Sequence, residues 1–267
     1  MSQPRTRGKI SVSVSAGIAS VEINNPAQRN ALTRSMCLEL QEAMPRLDAD
    51  PQVDIVVLTG SGGTFSAGAT IDELPAVLMD RQDDGTTIDQ LSRADQAITS
   101  MAKPTLALVK GACMGGGWQI ASACDFIIAS ADSTFAITPA KIGIIYPRPG
   151  IERLVRQVGP ANAKFILFTA EVLTGVRAME LGLVTEVVAD VDFASRCDSI
   201  IETLRKRSRF SMHYLKRLVD MTAVCHPEIS REWEDAWTAM TQGPDMEIGV
   251  KAFLNREQPE FTWSPTT

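Results

Sequence analysis

KGACMGGGWQIASACD, residues 110–125, joins a buried strand to an amphipathic helix through three consecutive glycines. The run before it, PTLALVKG (104–111), is short and apolar and ends in glycine, which is typical of a buried parallel strand. Glycine lets a ligand approach the backbone closely, and the unpaired N–H groups of a helix N-terminus suit an anion or a developing oxyanion. The same glycines can instead serve only close packing of strand against helix. The stretch therefore predicts an α/β fold and leaves the purpose of its turn open.

A second turn of small residues follows another buried strand. VDIVVLTG (53–60) has the same apolar character, and GTFSAGATID (63–72) then places two glycines and two alanines before an acidic position. If Ala69 in this turn and Gly116 in the first one present their N–H groups to one point, they form a two-donor oxyanion hole of the kind used in acyl chemistry. The pair of turns favours a site that admits a thioester carbonyl over a plain surface loop.

The segments around these turns continue the alternation of strands and helices. Residues 9–23 alternate with period two across SAG, which predicts a hairpin, and DFIIAS (125–130) is a further short apolar run. Residues 33–50 begin on a candidate N-cap, Thr33, and carry apolar residues at helical spacing. The polar segment 79–89 is predicted to be a mobile loop that leads into a helix.

The chain becomes mostly helical after residue 150, apart from a predicted short strand at 184–189. We place a boundary near residue 200, which separates a core, residues 1–200, from a helical C-terminal region, residues 201–267. The stretch 201–223 carries apolar residues at helical spacing after a core that is already complete. This region is therefore predicted to bury a face against other subunits.

Composition and charge exclude several classes of protein. The 267 residues are 45% apolar and 22% charged, as in an average soluble globular protein. A net charge of −6 argues against a nucleic-acid-binding surface. The five cysteines show no metal-ligand or disulfide-framework spacing, which predicts buried free thiols and no metal site. Since no apolar run reaches the ~18 residues of a membrane span and the N-terminus has no apolar core of signal-peptide length, we expect a cytoplasmic protein without membrane contacts.

Five ordered motifs resemble those of the crotonase, or enoyl-CoA hydratase/isomerase, superfamily. They are NNPAQRNALT (24–33), VVLTGSGGTFSAGATIDEL (56–74), KGACMGGGWQIASACDFIIAS (110–130), STFAITPAKIGIIYP (133–147) and GVKAFLNREQPEF (249–261). The resemblance implies a spiral of ββα units with a helical C-terminal region that trimerises, often into a hexamer. It also implies that the N–H groups of Ala69 and Gly116 bind the thioester oxygen and stabilise an enolate. It implies no metal or redox cofactor, because coenzyme A enters as part of the substrate.

Two departures from the family pattern bear on the reaction. In hydratases of this superfamily one glutamate lies three residues after the middle glycine of the triplet, and another follows the F-x-x-P turn. Here these places are Gln119 and Pro139. Glutamine can orient a water but has no proton affinity near neutral pH, and proline offers no side-chain group. A hydration that depends on two glutamates is therefore disfavoured.

The segment TPAKIGIIYP carries Tyr146, one of two tyrosines in the chain. Within the superfamily this segment is most similar to methylmalonyl-CoA decarboxylases, in which the matching tyrosine lies beside the substrate carboxylate. One departure is that a histidine occupies the position of Ala69 in such a decarboxylase. The expected donor at this position is the backbone N–H, which alanine retains. Decarboxylation needs no strong base, only a stabilised thioester oxygen and a poorly hydrated carboxylate. An acyl-CoA decarboxylase is therefore the preferred interpretation.

The candidate site follows from the turns, the resemblance and the distribution of charge. The candidate catalytic residues are Ala69, Gly116, Tyr146 and Gln119. The candidate substrate- and CoA-binding residues are Arg29, Ala31, Ser66, Ala67, Gly68, Ile71, Gly115, Trp118, Pro139, Ile142 and Lys251. Solvated charge remains the alternative for Arg29 and Lys251, and a place in the core the alternative for Trp118.

Three functions stay open beside one another. The first is decarboxylation of a malonyl-type CoA thioester. The second is an enoyl-CoA hydratase or double-bond isomerase with an atypical site, and the third is an acyl-CoA-binding homologue without catalysis. In each case the expected partner is an acyl-CoA thioester and the expected assembly is a homotrimer or homohexamer.

Overall fold

The computed structural model describes residues 8–264. Its strands are β1 Lys9–Ser15, β2 Ile18–Asn24, β3 Ile55–Gly60, β4 Asp80–Arg81, β5 Thr87–Ile88, β6 Thr105–Val109, β7 Ala112–Met114, β8 Phe126–Ser130, β9 Thr134–Ala136, β10 Leu173–Thr174 and β11 Glu186–Val188. Its helices are α1 Arg34–Ala49, α2 Leu74–Leu78, α3 Gln90–Thr99, α4 Gly116–Ser122, α5 Arg148–Thr169, α6 Gly175–Leu181, α7 Phe193–Arg205, α8 Arg209–Ala223, α9 Ile229–Gln242 and α10 Asp245–Asn255.

A six-stranded sheet in the order β1-β2-β3-β6-β8-β11 forms the centre of the fold. The predicted hairpin is confirmed, since β1 pairs antiparallel with β2, and the remaining neighbours pair in parallel. Strands β3 and β6, which precede the two small-residue turns, are adjacent in this sheet. Because parallel neighbours end at the same sheet edge, both turns emerge side by side.

A second sheet, in the order β10-β9-β7, holds the two turns in register. The Ser66 N–H donates to the Ala112 carbonyl, and the Met114 N–H donates to the Ser66 carbonyl, each at 2.9 Å. On its other side the turn that contains Ala69 is held by Leu32, whose N–H donates to the Gly68 carbonyl at 2.7 Å. The path of the chain through residues 66–70 is therefore fixed by backbone hydrogen bonds on both sides.

Helix α1 follows its sequence signature. The Thr33 hydroxyl accepts a hydrogen bond from the Met36 N–H, as an N-cap does. The apolar residues at helical spacing are all buried, namely Met36, Leu40, Met44 and Leu47. These side chains belong to one hydrophobic core with the strands of the six-stranded sheet.

The segment 79–89 differs from the predicted mobile loop. Strands β4 and β5 form a small antiparallel hairpin, closed by a turn in which Gly85 has a positive φ of 82°. The Asp80 carboxylate anchors this hairpin by accepting hydrogen bonds from Arg34 at 2.8 Å and from Gln90 at 2.6 Å. These two bonds hold the pKa of Asp80 below its usual value. The partners come from α1 and α3, so the local polarity of the segment gave no sign of them.

The chain divides into two compact units. Among the described residues, one unit comprises residues 8–101 together with Thr105–Cys197, and the other comprises Ala102–Pro104 together with residues 198–264. In the second unit, α8 leaves Leu215 and Val219 more than half exposed. The predicted burial of this helical region against other subunits, and the trimer or hexamer it implies, stay predictions.

The cysteines are buried with one exception. Cys37, Cys113, Cys124 and Cys197 are free and buried, whereas Cys225 is exposed, which corrects the prediction for that residue. Burial raises the pKa of the Cys37 thiol to about 12 and that of Cys113 well above its usual value. Both thiols therefore stay protonated and unreactive near neutral pH. Within residues 8–264 no helix is long and apolar enough to cross a membrane.

Candidate active site

The turn before α4 adopts a backbone conformation that requires glycine. Gly115 has φ 47° and ψ −113°, and its N–H donates to the Ala136 carbonyl at 2.7 Å. A Cβ on Gly117 would lie 2.8 Å from the Ser66 carbonyl oxygen. A Cβ on Gly68, whose φ is 97°, would lie 2.9 Å from the Met114 carbonyl oxygen. The glycines thus allow two backbone turns to approach more closely than side chains would permit.

The N–H groups of Ala69 and Gly116 lie next to each other at this approach. A Cβ on Gly116 would lie 3.2 Å from the Ala69 nitrogen. In the described part of the chain neither N–H donates a hydrogen bond to a protein atom. Gly116 is the first residue of α4, so its N–H also carries the partial positive charge of a helix N-terminus. Two adjacent donors without a protein acceptor are what an oxyanion hole requires, and that role of Ala69 and Gly116 stays a prediction.

A cavity of about 80 Å³ opens beside these two donors. It is lined by Ala67, Gly68, Ala69, Ile71, Leu74, Leu78, Leu91, Gly115, Gly116, Thr138, Pro139, Ile142, Ile144, Tyr146 and Pro147. Only Thr138 and Tyr146 bring polar side chains to this lining, which contains no carboxylate, imidazole or amine. The cavity is therefore an apolar space with two backbone donors at one wall.

Tyr146 contacts the turn before α4 through its hydroxyl. The Tyr146 Oη donates a hydrogen bond to the Gly115 carbonyl oxygen at 2.8 Å. The ring is 6% exposed and packs at 6.4 Å, centroid to centroid, against Trp118. Burial raises the pKa of Tyr146 well above its usual value, so the hydroxyl stays protonated at neutral pH.

The sequence relationship agrees with this geometry. Residues 13–264 match the family model described as Enoyl-CoA hydratase/isomerase. The chain belongs to the enoyl-CoA hydratase/isomerase family. The predicted crotonase-type α/β fold is therefore confirmed, and the chain belongs among enzymes that act on acyl-CoA thioesters.

Three family members show the range of names among its relatives. A crotonyl-CoA hydratase of Syntrophomonas wolfei is 30% identical, with 91% of this chain and 94% of the relative covered. A methylmalonyl-CoA decarboxylase of Escherichia coli is 28% identical, with the same two coverages, 91% and 94%. A solved structure of an enoyl-CoA hydratase/isomerase family member is 61% identical, with a TM-score of 0.96 over 99% of this chain and 100% of that chain.

The two positions to which the family resemblance assigns glutamates in hydratases lie in different surroundings. Pro139 lines the cavity together with Ile142. Gln119 is fully buried in α4 and does not line the cavity. Neither its amide nitrogen nor its amide oxygen has a hydrogen-bond partner among residues 8–264. The structure thus places no proton acceptor at either position.

Several other predicted residues lie outside the cavity lining. Trp118 is fully buried, which favours the alternative interpretation of it as a core residue. The Ser66 hydroxyl donates to the Asn30 carbonyl at 2.7 Å and accepts from the Gly68 N–H at 3.2 Å, so it holds the turn. The buried Ala31 belongs to the neighbouring segment.

The two predicted CoA-binding cations are both exposed. Arg29 has a positive φ of 51°, and its carbonyl accepts the Ala67 N–H at 2.9 Å. Lys251 lies on α10, in the second unit. A contact of either side chain with a CoA phosphate stays a prediction. Among the described residues no cluster of histidine, cysteine, aspartate or glutamate could hold a metal ion.

Sequence reasoning missed part of the cavity wall. Thr138 directly precedes Pro139, and its hydroxyl makes no hydrogen bond within residues 8–264. Leu74 and Leu78 from α2 and Leu91 from α3 complete the apolar lining. Thr138 could have been found from the motif, because it directly precedes Pro139, the position that the resemblance assigns to an acid in hydratases. The leucines gave no local signal, since any amphipathic helix carries such residues.

Proposed function

We propose that this protein is an acyl-CoA lyase that decarboxylates a malonyl-type CoA thioester. The substrate's bond between the carboxylate and the α-carbon breaks, CO2 leaves, and the electron pair enters the thioester as an enolate. The Ala69 and Gly116 N–H groups hold the enolate oxygen. The α-carbon then takes a proton from water, and the product is the acyl-CoA shorter by one carboxylate. The observation that carries this proposal is the pair of neighbouring backbone N–H groups of Ala69 and Gly116 beside a cavity whose lining has no base.

Hydration of an enoyl-CoA makes a demand that this cavity does not meet. One group must take a proton from water and one must give a proton to carbon. Glu152, a further acid after the same turn, is exposed and ion-paired with Arg148 at 2.6 Å. This pairing lowers the pKa of Glu152, and the residue is not part of the cavity lining. Glu152 therefore does not supply the acid or base that hydration in this cavity would need.

The lining also suits the leaving carboxylate. A carboxylate loses CO2 more readily where water is scarce, because hydration stabilises the charged ground state more than the transition state. Ile142, Ile144 and Leu91 supply apolar walls, and the Thr138 hydroxyl is free to donate one hydrogen bond. The similarity to the Escherichia coli methylmalonyl-CoA decarboxylase supports this choice of substrate class.

A hydratase with an atypical site is the second candidate. The name of the Syntrophomonas wolfei relative favours it.

Substrate profiling separates the two candidates. We expect CO2 release from at least one of methylmalonyl-, ethylmalonyl- and malonyl-CoA, and weak or no loss of the enoyl chromophore from crotonyl-CoA. Both assays use the same preparation, so a misfolded sample fails in both. Rapid hydration of crotonyl-CoA without CO2 release from any of the three malonyl thioesters would refute the proposal and favour the hydratase.

Substitution of Thr138 tests the proposed contact with the carboxylate. Thr138→Val keeps the shape of the side chain and removes the hydroxyl, so CO2 release should fall by roughly tenfold, the scale of one hydrogen bond. Thr138→Ser keeps the hydroxyl and should retain most of the activity. Steady-state rates of the two variants provide the measurement. A larger loss in Thr138→Ser than in Thr138→Val would show that the methyl group, not the hydroxyl, matters.

A further inference from the structure

We propose that Tyr146 is a positioning residue that orients and strengthens the Gly116 N–H donor of the oxyanion hole. It acts through the peptide unit between Gly115 and Gly116, without contact to the thioester oxygen. The inference rests on the oxyanion hole of the proposed function, and it holds whichever reaction that hole supports.

The planarity of the peptide bond couples the two groups of this peptide unit. The Gly115 carbonyl and the Gly116 N–H belong to one planar trans unit, so they point in opposite directions from it. The Tyr146 hydroxyl donates to that carbonyl at 2.8 Å. A group that fixes the direction of the carbonyl therefore also fixes the direction of the N–H. A hydrogen bond to the carbonyl further polarises the peptide and strengthens its N–H as a donor, most of all away from water.

The Gly115 carbonyl is held from two sides. The Gln119 N–H, in the first turn of α4, donates to it at 3.1 Å, and Tyr146 supplies the second hydrogen bond. The Gly115 N–H donates to the Ala136 carbonyl at 2.7 Å. Without the tyrosine hydroxyl, the Gly115 carbonyl still accepts the hydrogen bond from the Gln119 N–H, which is the first hydrogen bond of α4. The oxyanion peptide should become less strictly oriented while the fold persists.

The position of the tyrosine ring is itself enforced by packing. A Cβ on Gly150, in the first turn of α5, would lie 2.5 Å from Tyr146 Cε1. Only glycine at this position lets the ring lie against the helix. Trp118 packs against the ring from α4, the helix that the oxyanion turn begins. The hydroxyl is therefore directed at the Gly115 carbonyl by residues on both neighbouring helices.

This role differs from the one that the family resemblance implies. A phenol has a single hydrogen to donate, and Tyr146 donates it to Gly115. An ionised carboxylate can only accept hydrogen bonds. Because burial raises the pKa of Tyr146, its hydroxyl keeps this proton near neutral pH and continues to donate it to Gly115. Tyr146 therefore lies near the substrate without being the donor that binds the leaving carboxylate.

The test combines kinetics with the carbonyl stretch of a bound thioester. Propionyl-CoA labelled with ¹³C at the thioester carbonyl is bound to the native protein, where the two N–H donors should shift the stretch to lower frequency. Tyr146→Phe should reduce this shift and slow CO2 release by roughly tenfold, with a smaller change in KM. Tyr214→Phe, in the second unit, is the matched control and should alter neither quantity.

A second variant moves the ring without removing the hydroxyl. Gly150→Ala should displace Tyr146 from the Gly115 carbonyl and reproduce both effects of Tyr146→Phe. The double variant should be no slower than either single variant, since both changes break the same hydrogen bond. Circular dichroism of each variant identifies any that fails to fold.

The outcomes separate this inference from the proposed function. A carbonyl shift that is present in the native protein and unchanged in Tyr146→Phe would overturn the positioning role while leaving the oxyanion hole in place. Additive losses in the double variant would also count against it. No shift in the native protein would overturn the oxyanion hole itself, and with it the proposed function.

Discussion

Replacing Gly116 with proline is expected to slow CO2 release by at least about a hundredfold, the effect of removing one oxyanion-hole donor. Proline has no N–H, and its ring would occupy the space into which the Gly116 hydrogen points. Gly116 is the first residue of α4, where helices accept proline because the N–H there has no partner in the helix. The substitution therefore removes the donor while the helix can still form.

A matched variant separates the donor from the added bulk. Gly116→Ala keeps the N–H and adds only a Cβ, which would lie 3.1 Å from Leu91 and 3.2 Å from the Ala69 nitrogen. We expect the alanine variant to lose less activity than the proline variant, with the difference reporting on the donor. Turnover is compared at equal folded protein, checked by circular dichroism. Equal losses in both variants, or unchanged turnover in Gly116→Pro, would contradict the assigned role.

The two turns could be predicted from the sequence because their signals are local. Each follows a short apolar run that forms a buried strand, and each contains glycines that the backbone requires. That Ala69 and Gly116 lie together depends on the adjacency of β3 and β6, which no local pattern encodes. The family motifs supplied this adjacency, since they describe a complete fold and not a single turn.

The role of Tyr146 could not be predicted in the same way. Its motif predicts a place near the substrate, and in the structure Tyr146 lines the apolar cavity. The direction of its hydroxyl depends on Gly150, four residues further along the chain, and on Gly115, in another segment. A hydrogen-bond direction is set by packing of three segments at once, whereas sequence similarity conveys only that a tyrosine is present.

A buried ion pair that contacts α4 also depends on tertiary packing that no local sequence pattern shows. Arg153 on α5 forms a bidentate ion pair with Asp95 on α3, at 2.7 and 2.8 Å. Asp95 is 2% exposed and Arg153 is 9% exposed. The Arg153 guanidinium also donates to the Ser122 hydroxyl at 3.3 Å and to the Gln119 carbonyl at 3.5 Å. The pair therefore joins three helices and holds α4, whose first residue is the proposed oxyanion donor.

Removing one member of this pair should cost much more than breaking a similar pair at the surface. Asp95→Asn leaves the Arg153 charge buried without a counter-ion, and we expect the free energy of unfolding to fall by about 3–5 kcal/mol. The matched control is Glu186→Gln, which breaks the bidentate pair of Glu186 with Arg196, at 2.7 and 2.9 Å. Both partners of that pair are at least a third exposed, so its loss should change stability far less.

Urea unfolding followed by circular dichroism measures both variants under the same conditions. The double variant Asp95→Leu with Arg153→Met removes both charges and should recover part of the stability that Asp95→Asn loses, because no buried charge is left unpaired. If Asp95→Asn is no less stable than Glu186→Gln, the pair does not anchor α4. If the double variant is less stable than Asp95→Asn, the ion pair contributes more to the free energy of unfolding than its desolvation costs. In that case the ion pair itself, and not merely the avoidance of an unpaired charge, stabilises α4.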